Sequence, residues 1–329
     1  MRLKIFFAAA LIALWLAGCA TGPAPPANTV DAPALIAAKE ELALYPGLAL
    51  FDIPAGSFIY TREETARTAE YVVCRITFPS PFQSPVPRNN TVYAEYYEPT
   101  GDGPFPAVIV LHHVANEFTA TRMMCREFAR NGIAALMPMM AYYGERRPAA
   151  AAMPHQPYYI GEDAIRQTVM DIRRARQLLE SFADIDRDRI SLAGLSLGAI
   201  VGGLAAGVDG HFHRCVLIMG GGNLADIIWN SPISADYKKQ YEEKGGTLEG
   251  LRAQFAPVEP TAYAARVKTA SALMLNMKDD NWVPPAATTA LWEALGKPEI
   301  LWCPGAHLGI LLYWPDVMDR AVKHIKGPK

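Results

Sequence analysis

Cysteine is scarce in this chain, with five among 329 residues. Neither sign of charge prevails: 31 Lys and Arg stand against 33 Asp and Glu, a formal net charge of -2 at pH 7. The scarcity of cysteine excludes a small scaffold stapled by disulfides. The charge balance excludes both the basic footprint of a nucleic-acid binder and the acidic excess of a disordered chain. No internal repeat is present, which excludes a solenoid or a propeller. The apolar run at residues 5–16 falls short of the roughly 20 residues that a transmembrane helix needs. What is present is a globular composition, 51% hydrophobic, in a chain long enough to bury a large core around one sheet.

The beginning of the chain reads as an address. Arg2 and Lys4 precede the apolar run, and Leu16-Ala17-Gly18-Cys19 closes it. Small residues at that place mark signal-peptide cleavage. With Cys19 directly after them, the stretch resembles a bacterial lipoprotein signal; an ordinary signal peptide or a single anchor is the alternative. The resemblance implies residues 1–18 as the signal and Cys19 as the lipidated first residue. It implies residues 19–33, rich in Pro and Ala, as a flexible tether, and 34–329 as the folded domain. Ala20 stands where inner-membrane lipoproteins carry aspartate, so the resemblance implies the cell envelope, at the outer membrane facing the periplasm.

Along the folded part, residues 34–45 suit a short helix stopped by Pro46-Gly47. Residues 70–79 and 90–99 alternate as two hairpin strands, expected as antiparallel edge strands. Residues 105–112 (FPAVIVLH), 133–139, 190–193, 215–219, 271–277 and 299–302 read as short strands, most of them continuously apolar. Between them lie helical stretches at 118–131, 161–182, 288–295 and 316–326. In the second of these Ile165, Val169, Ile172, Ala175 and Leu179 follow the helical period, and Arg173, Arg174 and Arg176 are expected to face water. This alternation predicts an α/β class, a mostly parallel central sheet flanked by helices. Residues 224–267 form an insertion between the sixth and seventh of the core strands and are a candidate cap.

The chemistry concentrates at residues 189–203, RISLAGLSLGAIVGG. Gly194-Leu195-Ser196-Leu197-Gly198 is a G-x-S-x-G sequence with a strand before it and an apolar helix after it. A strand that turns sharply into a helix has no room for Cβ atoms at the flanking positions. Two glycines there allow Ser196 to occupy a strained apex with its hydroxyl exposed. In parallel sheets, reactive groups gather beyond the carboxyl ends of the strands. After residues 271–277 comes Asp279-Asp280, and after residues 299–302 comes Pro304-Gly305-Ala306-His307. A hydroxyl, a carboxylate and an imidazole then follow three separate strands in the order Ser, Asp, His.

These stretches, with VIVLHH at 108–113, DIRRARQLL at 171–179 and LMLNMKDDNWVPP at 273–285, resemble the α/β-hydrolase superfamily. The resemblance is to its dienelactone-hydrolase-like and acetyl-xylan-esterase-like branches, over residues 105–325. It implies the α/β-hydrolase fold, Ser196 as nucleophile and His307 as base. It implies Asp280 as the acid, because Pro284 follows four places on. Asp279 is the alternative acid and Asp226 a remoter one. For the oxyanion hole, the resemblance implies the N–H of Leu197 and a second N–H in the loop after 108–111. There His112-His113-Val114 replaces the usual His-Gly, so the second donor stays open between His113 and Val114. Tyr142, Tyr143 and Arg146 are candidates for the substrate pocket. Arg146 is expected either to hold a carboxylate or buttress the loop, or to pair with a surface acid. Adjacent His112 and His113 point to opposite sides of an extended strand, which argues against a metal. No metal and no cofactor is expected.

The function so implied is a serine hydrolase, most readily a carboxylic-ester hydrolase that forms an acyl-enzyme with a small-molecule ester. Two alternatives remain. One is a serine peptidase of the oligopeptidase type, although no propeller fits before Phe105. The other is a catalytically idle envelope protein that uses the fold for binding. No nucleic-acid partner is expected, and the oligomeric state cannot be read.

Overall fold

A computed structural model describes residues 27–114, 117–148 and 161–327. Cys19 and the signal lie outside the described residues. One ten-stranded sheet runs through the molecule in the order β1 (Ala27–Ala32), β2 (Gly56–Arg67), β3 (Tyr71–Pro79), β4 (Thr91–Pro99), β6 (Ala134–Pro138), β5 (Phe105–Leu111), β7 (Ile185–Leu195), β8 (Cys215–Ile218), β9 (Ala272–Met277) and β10 (Glu299–Cys303). Its parallel half is β5 (Phe105–Leu111), β6 (Ala134–Pro138), β7 (Ile185–Leu195), β8 (Cys215–Ile218), β9 (Ala272–Met277) and β10 (Glu299–Cys303). The continuous apolar runs of β5 and β6 are buried almost throughout, as strands covered on both faces must be. Helices α2 (Thr119–Arg130) and α10 (Trp314–Lys326) cover one face. On the other lie α3 (Glu162–Glu180), α4 (Leu197–Asp209) and α9 (Pro285–Ala294).

The antiparallel end of the sheet differs from the sequence reading. The hairpin strands are β3 (Tyr71–Pro79) and β4 (Thr91–Pro99), but they are not at the edge. Beyond β3 lies β2 (Gly56–Arg67), and beyond that β1 (Ala27–Ala32), which takes up part of the expected tether at 19–33. The physical reason is pairing. The free edge of β2 offers unpaired backbone groups, and β1 meets it from Ala27↔Thr61 to Ala32↔Gly56. Val30 and Ala32 are buried there, and the Ser57 hydroxyl donates to Asp31 at 2.7 Å. The expected helix at 34–45 is shorter, α1 (Lys39–Leu44), followed by a 3₁₀ turn at Pro46–Phe51.

That added N-terminal layer also corrects the reading of α3. Arg173 and Arg174 are buried, not in water. The Arg173 guanidinium donates to the Phe51 carbonyl and reaches Asp209 at 3.4 Å. Arg174 lies over the Phe58 ring at 4.5 Å. Arg176 binds Asp209 at 2.5 Å. Burial by itself would raise the Asp209 carboxyl, but His211 and the two arginines outweigh it and hold its pKa down to about 2.

The insertion lies between β8 and β9, the sixth and seventh strands once β1 and β2 are set aside. It carries α5 (Leu224–Asn230), α6 (Ala235–Glu243), α7 (Leu248–Phe255) and α8 (Pro260–Tyr263). Leu251, Phe255, Val258 and Tyr263 are buried in the main core. Glu259 ties the two ends of the insertion together, accepting the N–H groups of Asn223 and Leu224 at 2.8 Å each. Cys74, Cys125, Cys215 and Cys303 are buried free thiols.

Candidate active site

Ser196 stands between β7 and α4 with φ 54° and ψ -116°, a conformation that L-residues rarely adopt. The two flanking glycines explain how the chain tolerates it. A Cβ on Gly194 would sit on the Gly198 carbonyl, and one on Gly198 would sit on the carbonyls of Leu111 and His112. The turn is therefore closed against both its own helix and the neighbouring β5. Ser196 N–H donates to the Ile218 carbonyl of β8 at 2.8 Å, which pins the apex to the sheet. Leu197 is the first residue of α4. At that position a backbone N–H has no acceptor within the helix, so it stays available at the apex.

Ser196, His307 and Asp280 are brought together from three strand ends. His307 Nε2 lies 3.0 Å from Ser196 Oγ, and His307 Nδ1 lies 2.6 Å from Asp280 Oδ2. A carboxylate can only accept, so the Nδ1 proton belongs to that bond and the Nε2 lone pair faces the hydroxyl. The other Asp280 oxygen accepts the N–H groups of Trp282 and Val283 at 2.8 and 2.9 Å. All three residues are buried. Asp279 turns away: its Oδ2 accepts the Gly305 N–H at 3.1 Å. Asp226 is also elsewhere, paired with Arg252 at 2.7 Å.

The loop after β5 is held by His112. Its Nδ1–H donates to the His113 carbonyl at 2.8 Å, and its Nε2 accepts the Met140 N–H at 3.0 Å. Both ring nitrogens are thus used by the protein, in the neutral form. Burial among Phe118 and Tyr143 pushes its pKa down to about 3. His113 is half-buried, with Thr121 Oγ1 3.5 Å from its Nδ1. Burial, with the nearby His307 as a smaller contribution, lowers its pKa as well. Val114 follows it at the end of the described stretch.

Tyr143 and Leu197 line a narrow cavity of about 10 Å³ beside the elbow, with Met140, Ile165 and Val201. Tyr142, with φ 68°, packs in a separate small cluster with Ala141 and Ala164. Arg146 does not face a substrate pocket. It is fully buried and spent on the protein: it binds Asp171 at 2.7 Å, donates to the Met139 carbonyl at 2.8 Å and donates twice to the Asn89 carbonyl. The partner acid is buried rather than on the surface, because α3 delivers Asp171 beneath the loop. Of the roles considered for Arg146, buttressing the loop is the one its contacts serve.

Two residues of the site escaped the sequence reading in their actual roles. Asn89 is a buried hub: its side-chain oxygen accepts the Tyr142 N–H at 2.9 Å, and its amide donates to Gln167 at 2.5 Å. Nothing in a Pro-rich loop singles out one asparagine for that task. The Trp282 indole stacks on the His307 imidazole, centroids 4.7 Å apart and 26° between planes. Its place two residues after Asp280 was the available signal.

Comparison with solved structures follows this geometry. An acetyl xylan esterase from Paenibacillus sp. R4 superposes with a TM-score of 0.66, at 17% identity, over 89% of this chain and 96% of that one. Acetyl xylan esterase 1 from Thermoanaerobacterium sp. JW/SL YS485 gives a TM-score of 0.60 at 12% identity, over 79% and 86%. The chain has the α/β-hydrolase fold. Within this fold, residues 92–241 match the model of the dienelactone hydrolase family. An uncharacterized protein of Mycobacterium tuberculosis is 26% identical over 184 residues, 54% of this chain and 43% of that protein. The match thus spans less than half of that relative.

Proposed function

We propose that this α/β-hydrolase is a serine carboxylic-ester hydrolase working through an acyl-enzyme, with Ser196, His307 and Asp280 as its triad. The observation that carries the reading is the unbroken chain of contacts from Asp280 through His307 to Ser196, at 2.6 and 3.0 Å. His307 Nε2 takes the Ser196 proton as Oγ bonds to the acyl carbon. Leu197 N–H, with one from His113 or Val114, holds the oxyanion as it forms. Collapse of the tetrahedral intermediate breaks the bond to the alcohol oxygen, and His307 returns the proton to that leaving group. Water then attacks the acyl carbon by the same route and frees Ser196 and the acid. Asp280 keeps the ring oriented and stabilises the imidazolium.

The test is covalent labelling with a fluorophosphonate. A single adduct on Ser196, lost in Ser196→Ala and slowed in His307→Ala, supports the reading. A wild-type chain that takes no label and hydrolyses no ester overturns it.

We also propose that the protein is anchored in the cell envelope through a lipid on Cys19, at the outer membrane facing the periplasm. The support is the sequence pattern at residues 2–19. Incorporation of labelled fatty acid, absent in Cys19→Ser, is the expected result; equal incorporation in both would remove the proposal.

A further inference from the structure

His307 is held from two directions by one short stretch of chain, residues 280–283. At the edge of the ring, Asp280 Oδ2 lies 2.6 Å from Nδ1. Across its face lies the Trp282 indole, with centroids 4.7 Å apart and 26° between planes. The two contacts share a frame. Asp280 Oδ1 accepts the N–H groups of Trp282 and Val283 at 2.8 and 2.9 Å, which folds the stretch into a turn. Val283 is buried, so close to Gly221 that a Cβ there would lie 2.9 Å from its side chain. Pro284 caps α9, its carbonyl accepting the N–H groups of Ala287 and Thr288 at 2.8 and 3.2 Å. The backbone that carries the indole is therefore fixed on both sides.

The two contacts do different work. The hydrogen bond at Nδ1 restrains the ring along its edge. A flat indole against one face restrains it from rocking out of plane, and so keeps Nε2 on Ser196 Oγ, 3.0 Å away. The face also bears on charge. An indole carries negative density over its face and attracts a cation set there, more strongly than Tyr or Phe does and more again where water is kept out. Here His307 and Asp280 are buried and Trp282 is half-buried. When the Ser196 proton moves to Nε2, the ring becomes a cation lying against that face. Only the attraction that appears with the charge lowers the barrier; what the neutral ring already enjoys does not.

We infer that Trp282 is a positioning residue for the reaction: its indole holds the His307 ring and stabilises the imidazolium. The inference rests on the ester-hydrolase reading above. The ring is charged in both halves of that reaction, as the alcohol leaves and as water attacks. Loss of the indole therefore slows both halves and leaves ester binding alone.

The test uses the full chain and p-nitrophenyl acetate. Trp282→Leu keeps an apolar side chain and removes the π face; kcat is expected to fall about tenfold with KM unchanged. Trp282→Phe is expected to recover most of the loss, and thermal melts report whether each variant is folded. A second series keeps the shape of every side chain, and carries the test if Trp282→Leu does not fold. The chain is made with mono-, di- and trifluorinated tryptophan, whose fluorines draw density off the ring face. Here kcat is expected to fall with each added fluorine. The same amino acids in Trp282→Phe report on the remaining tryptophans, and there kcat is expected to stay level. Native kcat in folded Trp282→Leu, a raised KM with kcat unchanged, or no recovery in Trp282→Phe overturns the inference. So does a fluorine series that is flat, or equally steep in Trp282→Phe. Wild-type hydrolysis that does not depend on Ser196 would instead strike the ester-hydrolase reading itself, and this inference with it.

Discussion

Asp279 and Gly305 hold each other by two hydrogen bonds, Asp279 N–H to the Gly305 carbonyl at 3.0 Å and Gly305 N–H to Asp279 Oδ2 at 3.1 Å. Two residues further along the same loop is His307, whose ring binds the neighbouring Asp280. Adjacent carboxylates thus divide the work, one holding the loop and the other the imidazole.

The division predicts unequal losses. Asp280→Asn should lower kcat on a short-chain ester by on the order of a thousandfold or more, since the ring then loses its orienting carboxylate. Asp279→Asn should cost roughly tenfold or less, because an amide oxygen still accepts the Gly305 N–H. Steady-state kinetics of the two variants decide the matter, and the reverse ranking would make Asp279 the acid.

The elbow glycines should admit no side chain. Gly198→Ala places a methyl on the carbonyls of Leu111 and His112. Backbone cannot move aside as a flexible side chain can, so a loss of about 1–3 kcal/mol is expected. Activity should fall further than stability, because the start of α4 is displaced from the apex. Denaturant melts alongside ester hydrolysis would show both; a variant with native rate and stability would contradict the close packing.

The buried pair Arg146–Asp171 should be fragile to single changes. Arg146→Met strands the Asp171 carboxylate out of water and leaves the Met139 carbonyl without its donor, while the Asn89 carbonyl keeps only the Gln167 amide at 3.0 Å. Removing one partner of a buried pair costs about 3–5 kcal/mol. Arg146→Met/Asp171→Leu should recover part of that loss but not all, since the Met139 carbonyl remains unserved. Urea denaturation of the single and double variants measures the difference.

His112 should make the protein sensitive to acid. Its ring has a folded pKa pressed to about 3 from an ordinary 6.5. Between those values the unfolded chain binds a proton that the folded chain refuses. Stability from this group is therefore complete above about pH 6.5 and is lost as pH falls toward 3. His112→Asn should be less stable at pH 7 and show a flatter decline over that window. Urea midpoints at several pH values test it, and parallel curves for the two proteins would show that another group governs the slope.

Much of this architecture was legible before any coordinates. Apolar runs of strand length, separated by helical periods, identified the parallel strands, because burial on both faces leaves a local record in composition. The elbow was legible for the same reason: the steric demand of a tight strand-to-helix turn falls on Gly194, Ser196 and Gly198 themselves. The order of hydroxyl, carboxylate and imidazole along three strand ends followed from the topology of parallel sheets.

Other features depended on what folds over what. The strand β2 and its partner β1 carry too many polar residues to announce themselves, and an edge position relaxes the demand for apolar side chains. Arg173 and Arg174 looked solvent-facing by helical period, yet the N-terminal layer and Asp209 close over them. Arg146 could be read as a ligand for substrate until α3 brought Asp171 beneath it. The spacing to Pro284 pointed to Asp280, but only the tertiary structure shows the Asp280 carboxylate on His307 and the Asp279 carboxylate on the Gly305 N–H. Composition and periodicity determined which segments are strands and helices and where the sharp turn lies, because those are local steric and burial properties. Only the tertiary structure decided the partner of each polar side chain, because a partner is chosen by distance in space between segments far apart in the chain.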